Sequence, residues 1–189
     1  MQIPELDSRT AHAAITSFRI LDVREAFEFE GPLGALAGAV NVPLGEVAQY
    51  AGALDATDHL LLVCRSGKRS ETACRILRQR GMPDVTNLAG GMIAWNGAAL
   101  PVVRKRLESP ESLRESLTHW LAQVSRVNRA KAGERIAAWL QEAGPSTSGT
   151  TREALELLLA HVEQALRQTG APSDLDLTMD AYRRDLAAL

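Results

Sequence analysis

Leu61-Leu62-Val63-Cys64-Arg65-Ser66-Gly67-Lys68-Arg69-Ser70 decides the reading of this chain. A short apolar run ends in a cysteine, a stretch rich in donors and positive charge follows, and Glu71 to Arg80 reads as a helix. Buried strand, cysteine, tight loop and helix N-terminus, in that order, form a device for holding a thiolate at neutral pH, where an unperturbed cysteine is mostly thiol. Backbone N–H groups turned into a loop, a helix N-terminus and adjacent Arg or Lys all favour the anion. The competing reading is a small buried hydrophobe, inert behind Leu-Leu-Val. The next residues weigh against it. Gly67 allows the backbone conformations that a closed anion cradle needs, and Arg65, Lys68 and Arg69 would be a poor setting for a merely buried side chain. Cys64 is read as a nucleophile.

Outward from this stretch, strand and helix signals alternate. Apolar runs at 18–23, 38–42, 60–64 and 85–88 read as buried strands of a mostly parallel sheet, with helical stretches at 7–15, 44–50 and 70–80 between them. Gly81-Met82-Pro83-Asp84 breaks the chain before the last strand. This pattern predicts an α/β fold over residues 1–104. From 105 to 189 the pattern is all-α. Ser109-Pro110-Glu111 is a helix start with Ser as N-cap and Pro at the first helical position. Leu113, Leu117, Trp120, Leu121 and Val124 then mark one apolar face, and a second helix is expected over 128–141. A break at 144–149 precedes the capping box Thr150-Thr151-Arg152-Glu153. Leu155, Leu158, Leu159, Val162 and Leu166 form another stripe, and a last helix is expected over 178–188.

Four motifs carry a resemblance. They are Leu21-Asp22-Val23-Arg24-Glu25, Gly38-Ala39-Val40-Asn41-Val42-Pro43-Leu44, Cys64-Arg65-Ser66-Gly67-Lys68-Arg69-Ser70 and Asn87-Leu88-Ala89-Gly90-Gly91-Met92-Ile93-Ala94-Trp95. In this order they resemble the rhodanese family, over roughly residues 3–103. The resemblance implies a sandwich of helices about a central sheet, with Cys64 carrying a persulfide and Arg65, Ser66, Gly67, Lys68, Arg69 and Ser70 as the active-site loop. It implies sulfur transfer from a small anionic donor, such as thiosulfate or a persulfide, to a thiol or cyanide acceptor. The persulfide is covalent, so no separate cofactor is expected. The family often has Gly-His-Ile where this chain has Gly34-Ala35-Leu36, so its usual histidine is replaced by Ala35. Related phosphatases and arsenate reductases use a seven-residue loop closed by an arginine five intervening residues after the cysteine. Here only four residues separate Cys64 from Arg69, which suits a single sulfur atom. A non-enzymatic binding module and, behind it, a phosphatase or arsenate reductase are the alternatives to a sulfurtransferase.

The remaining candidates have plainer readings. Asp22, at a strand end, is expected to brace its loop or form a structural ion pair, and Arg24 to point toward the cysteine loop by family resemblance alone. Cys74 shares the spacing of Ser70, Ala73 and Leu77 and is read as a buried thiol. A helical rise of ~1.5 Å per residue puts it out of disulfide reach of Cys64. Trp95 is read as core. His12, His59, His119 and His161 have no metal-ligand spacing. Between Arg65 and Arg80 six basic residues face one acid, Glu71, yet the whole chain has 21 Lys and Arg against 23 Asp and Glu. That balance argues against a nucleic-acid partner and favours a small anion at the loop. Two cysteines, no signal-peptide pattern at the start and no long apolar run lead to the expectation of a cytoplasmic protein with no membrane partner. The C-terminal helices either bury their stripes against one another or dock a protein partner or a second copy of the chain.

Overall fold

The computed structural model describes residues 2–104, 109–125, 129–142, 152–172 and 174–188. The chain divides into two compact units, Met1–Arg104 and Lys105–Leu189. In the first, five strands alternate with helices: β1 (Glu5–Leu6), α1 (Ser8–Ala13), β2 (Arg19–Asp22), α2 (Ala26–Phe29), β3 (Val40–Asn41), α3 (Val47–Tyr50), β4 (Leu60–Val63), α4 (Lys68–Gln79), β5 (Val85–Leu88) and α5 (Gly91–Gly97). The sheet order is β1-β5-β4-β2-β3 and every pairing is parallel. β4 is central, with Leu61 opposite Ile20 on one side and Thr86 on the other. All four of its side chains are buried, as expected of a strand covered on both faces. Leu21, Val23, Leu60, Leu62, Cys64, Ala73, Cys74 and Leu77 belong to one apolar core.

Short polar signals set the element ends. Asp7 caps α1, its Oδ1 accepting from the N–H groups of Arg9 and Thr10 at 2.9 and 3.0 Å. The helix expected over 7–15 therefore begins one residue later, and it passes into a 3₁₀ turn at Ile15–Ser17. The expected helix at 44–50 is likewise divided, a 3₁₀ turn at Leu44–Glu46 leading into α3. The strand expected over 38–42 pairs only at Val40–Asn41. The helix expected from Ser70 begins at Lys68, so Lys68, Arg69 and Ser70 occupy its first turn rather than the loop. β1, α2 and α5 were not among the expected elements. They have two, four and seven residues, too few to display a clear hydrophobic period.

The second unit contains α6 (Pro110–Val124), α7 (Arg129–Glu142), α8 (Arg152–Thr169) and α9 (Leu175–Ala187). Ser109 Oγ accepts from Ser112 N–H at 3.1 Å, and Ser112 Oγ accepts from Ser109 N–H at 3.2 Å, a reciprocal cap. The stripes Leu113, Leu117, Trp120, Leu121 and Leu155, Leu158, Leu159, Val162, Leu166 meet in one core with Met179 and Tyr182, and Val124 packs against it half-buried. The last helix starts at Leu175, ahead of the expected 178. The expected break at 144–149 and the capping residues Thr150 and Thr151 lie outside the described residues. No helix among the described residues is long and apolar enough to cross a membrane.

Candidate active site

Cys64 leaves the C-terminal end of the central strand, where parallel α/β sheets collect their functional groups. Its Sγ accepts from Gly67 N–H at 3.1 Å and lies 3.3 Å from Ser70 Oγ. Only three residues stand between β4 and the N-cap of α4, which is Gly67 itself. Gly67 has φ +90°, and a Cβ there would come within 3.1 Å of Gly90 N and 3.3 Å of Leu88 O. The tight turn aims a backbone amide and the first turn of a 12-residue helix at the sulfur. Both place positive potential where negative charge builds.

The Gly90-Gly91 motif supports the same loop from behind. The N–H groups of Met92 and Ile93, in the first turn of α5, donate to the carbonyls of Cys64 and Arg65 at 2.9 and 3.1 Å. Such close backbone packing leaves no room for a side chain: a Cβ at Gly91 would sit 2.3 Å from the Cys64 carbonyl oxygen. Trp95 is 2 % exposed behind this turn, its Nε1 donating to Pro101 O at 2.9 Å, and it is core as expected.

The loop cations divide. Lys68 is exposed and Arg65 half-buried. Arg69, expected to attract an anion and to shape the loop, grips Glu28: Nη1 donates to Oε2 at 2.6 Å and Nη2 to Oε1 at 2.7 Å. Hydrogen bonding to Glu28 is the main reason the Arg69 guanidinium is held even more firmly protonated than usual, with the charge of Cys64 adding a smaller push. Glu28 is itself buried, with 6 % of its side chain exposed, and needs a cation. Glu28 was not among the sequence candidates. No spacing signal links it to a residue 41 positions away.

Asp22 and Arg24 form a buried pair with side chains 0 % and 1 % exposed, Arg24 Nη2 reaching Asp22 Oδ2 at 2.6 Å. Arg24 also donates to the carbonyls of Glu28 and Gly34 at 3.0 and 2.8 Å. Its guanidinium thus braces its own loop; the expected orientation toward the cysteine loop is replaced by these bonds, because a buried guanidinium must satisfy its donors. Asn41, from the second motif, ties Asp22 O and Arg24 O with its side-chain amide at 3.0 and 2.8 Å. Ala35 is buried and exchanges backbone bonds of 2.8 Å with Val103 in both directions. Cys74 is fully buried in the core, and burial pushes its thiol up to about 12.

Two polar residues outside the loop complete the surroundings of the sulfur. Asn87, on β5 and 1 % exposed, accepts from Ser70 Oγ at 2.6 Å and donates through Nδ2 to Glu5 Oε1 at 2.7 Å. Asn87 stood inside the fourth motif without an assigned role, and Glu5 lay in a strand too short to read.

Residues 4–98 match the family model described as the rhodanese-like domain. The chain is 42 % identical over 81 residues to the Bacillus subtilis protein YrkF, covering 43 % of each chain, so it spans under half of that relative's length. It is 30 % identical over 104 residues to a sulfurtransferase of Allochromatium vinosum, covering 53 % of this chain and 95 % of that one. Similarity to the thiosulfate sulfurtransferase GlpE of Shewanella oneidensis is 34 % identity over 82 residues, covering 43 % of this chain and 79 % of that one. Among solved structures, a rhodanese-related protein of Thermoplasma volcanium superposes with a TM-score of 0.50 at 27 % identity, covering 54 % of this chain and 99 % of that one. Ordered motifs, an all-parallel five-stranded sheet and a matched family model over half its length agree: the chain belongs to the rhodanese-like family.

Proposed function

We propose that the chain is a sulfurtransferase that moves sulfane sulfur from thiosulfate or a persulfide to a thiol or cyanide through a persulfide on Cys64. The observation that carries this reading is the position of Sγ: at the end of the central strand, 3.1 Å from the Gly67 amide, under the first turn of α4. In the first half-reaction the Cys64 thiolate attacks the outer sulfur of thiosulfate. A new S–S bond forms, the donor's S–S bond breaks, and sulfite leaves with the electron pair. In the second half-reaction cyanide or a thiolate attacks the terminal sulfur of the persulfide and restores the Cys64 thiolate. Each transition state gathers negative charge on sulfur, and fixed donors aimed at that charge need no reorganisation. Lys68 and Arg65 supply positive charge for the approach of an anion, whereas Arg69 is committed to Glu28. That commitment, added to the short loop, argues against phosphoryl or arsenate chemistry, which needs guanidinium donors on a tetrahedral oxyanion. Two free cysteines and no disulfide suit a reducing compartment, and the cytoplasm is the setting we propose.

A covalent intermediate imposes a kinetic form. Thiocyanate production from thiosulfate and cyanide should give parallel double-reciprocal lines and vanish in Cys64→Ala, while a simple phosphate ester is left intact. Ester hydrolysis that depends on Cys64, with no thiocyanate formed, would overturn the reading.

A further inference from the structure

Ser70 has one hydroxyl proton and three acceptors within reach: Asn87 Oδ1 at 2.6 Å, Gly67 O at 3.1 Å and Cys64 Sγ at 3.3 Å. Which one holds the proton is decided outside the loop. Glu5 is a carboxylate and offers only acceptor oxygens, so the Asn87 amide must turn its NH₂ toward Glu5, where Nδ2 donates at 2.7 Å. That leaves Oδ1 facing Ser70, and an amide oxygen can only accept. The shortest bond therefore takes the Ser70 proton away from the sulfur and turns the hydroxyl lone pairs toward Sγ. Lone pairs at that position suit an S–H donor and oppose a bare thiolate.

We propose that Glu5 and Asn87 are positioning residues that hold the Ser70 hydroxyl proton off Cys64 until charge develops on the sulfur, when this hydroxyl swings onto it. The inference rests on the reading of Cys64 as the sulfur-carrying nucleophile. Ser70 is fully buried and Asn87 is 1 % exposed, so no bulk water substitutes for either partner. The rotation exchanges a bond to Asn87 for a charge-assisted bond to sulfur, which is the stronger of the two when the sulfur is anionic. Glu5, on β1 and exposed, sets the strength of the restraint. The charged groups around the same sulfur include Arg69, with Glu28 on it and the Asp22–Arg24 pair beyond.

The pH profile of Cys64 alkylation by iodoacetamide, followed by intact mass, tests the proposal without any sulfur donor. It is therefore independent of whether thiosulfate or a persulfide is used. In Glu5→Ala the Asn87 amide is free to turn, its NH₂ can face Ser70, and the hydroxyl proton is released to the sulfur. The alkylation midpoint should then move to lower pH by roughly half a unit to one unit, the size of one hydrogen bond's preference between two protonation states. The shift should disappear when Glu5→Ala is compared in a Ser70→Ala background, and in the native background it should persist at high salt. A shift that survives in Ser70→Ala, or one that salt abolishes, would mark a simple charge effect of an exposed carboxylate and overturn the proposal. No shift at all would overturn it as well. The salt series needs only Glu5→Ala, so the test stands even if Ser70→Ala does not fold. Failure of persulfide formation alongside a shifted alkylation profile would overturn the sulfur-transfer reading and leave the positioning role intact.

Discussion

Glu28 and Arg69 stand 41 positions apart and share two short hydrogen bonds, and their pairing changes what the loop offers a substrate. A guanidinium bound to a carboxylate adds little attraction for an anion. In Glu28→Gln the Arg69 charge is unpaired beside the sulfur, so the KM for thiosulfate should fall several-fold, while thermal or urea unfolding should record a loss of about 1–3 kcal/mol. A raised KM would show that Arg69 works only when Glu28 holds it in place. Cys74 makes the opposite kind of contribution. Burial, with a smaller push from the charge of Glu71, raises its thiol from an ordinary 9.0 to about 12, the nearby Arg78 opposing. A raised folded-state value favours the neutral form, so this stability is full below pH 9 and drains away as pH climbs toward 12. Urea unfolding from pH 8 to 11 should show native stability declining by up to about 1.4 kcal/mol per unit from this group alone, and Cys74→Ala should flatten part of that slope. Of the site residues, Cys64 and its loop were legible because a nucleophile, a glycine and cations stand together in one stretch. Glu28, Asn87 and Glu5 were not, because their partners are set by strand register and helix placement rather than by sequence spacing.

At the scale of elements, the sulfur loop is a strand-to-helix turn fastened by the start of another helix. The N–H groups of Met92 and Ile93 hold the Cys64 and Arg65 carbonyls, and the Gly67 amide turns toward the sulfur. Gly91 permits that approach: its φ is +55° and a Cβ would meet Cys64 O at 2.3 Å and Arg65 C at 2.8 Å, all backbone. Gly91→Ala should cost about 2–4 kcal/mol in urea unfolding and lower thiocyanate production more than tenfold. Gly45→Ala, where a Cβ would meet nothing within 4 Å, should leave both within error. Equal effects of the two substitutions would contradict this account of the loop. The motif Gly90-Gly91 was visible in the sequence, whereas the seven-residue helix it starts was not. Gly91 serves a close approach between distant backbones, and no local period encodes that.

The whole molecule joins a sheet-based unit to a helical one, and among the described residues the two apolar cores share none. α6 and α8 were readable because each carries an amphipathic stripe long enough to show its period, as Leu155, Leu158, Leu159, Val162 and Leu166 do along α8. Leu158→Ala, deep in the helical core, should destabilise that unit by about 2–5 kcal/mol, seen as an earlier loss of helical circular dichroism, while Cys64 still takes up sulfur at the native rate. Sulfur uptake is the property on which the account stands, and the intact mass of the protein after incubation with thiosulfate reads it most directly. The native chain should gain one sulfur atom, absent in Cys64→Ser and removed by cyanide. A native chain that gains nothing from thiosulfate or from a persulfide donor, or a gain that Cys64→Ser retains, would contradict it.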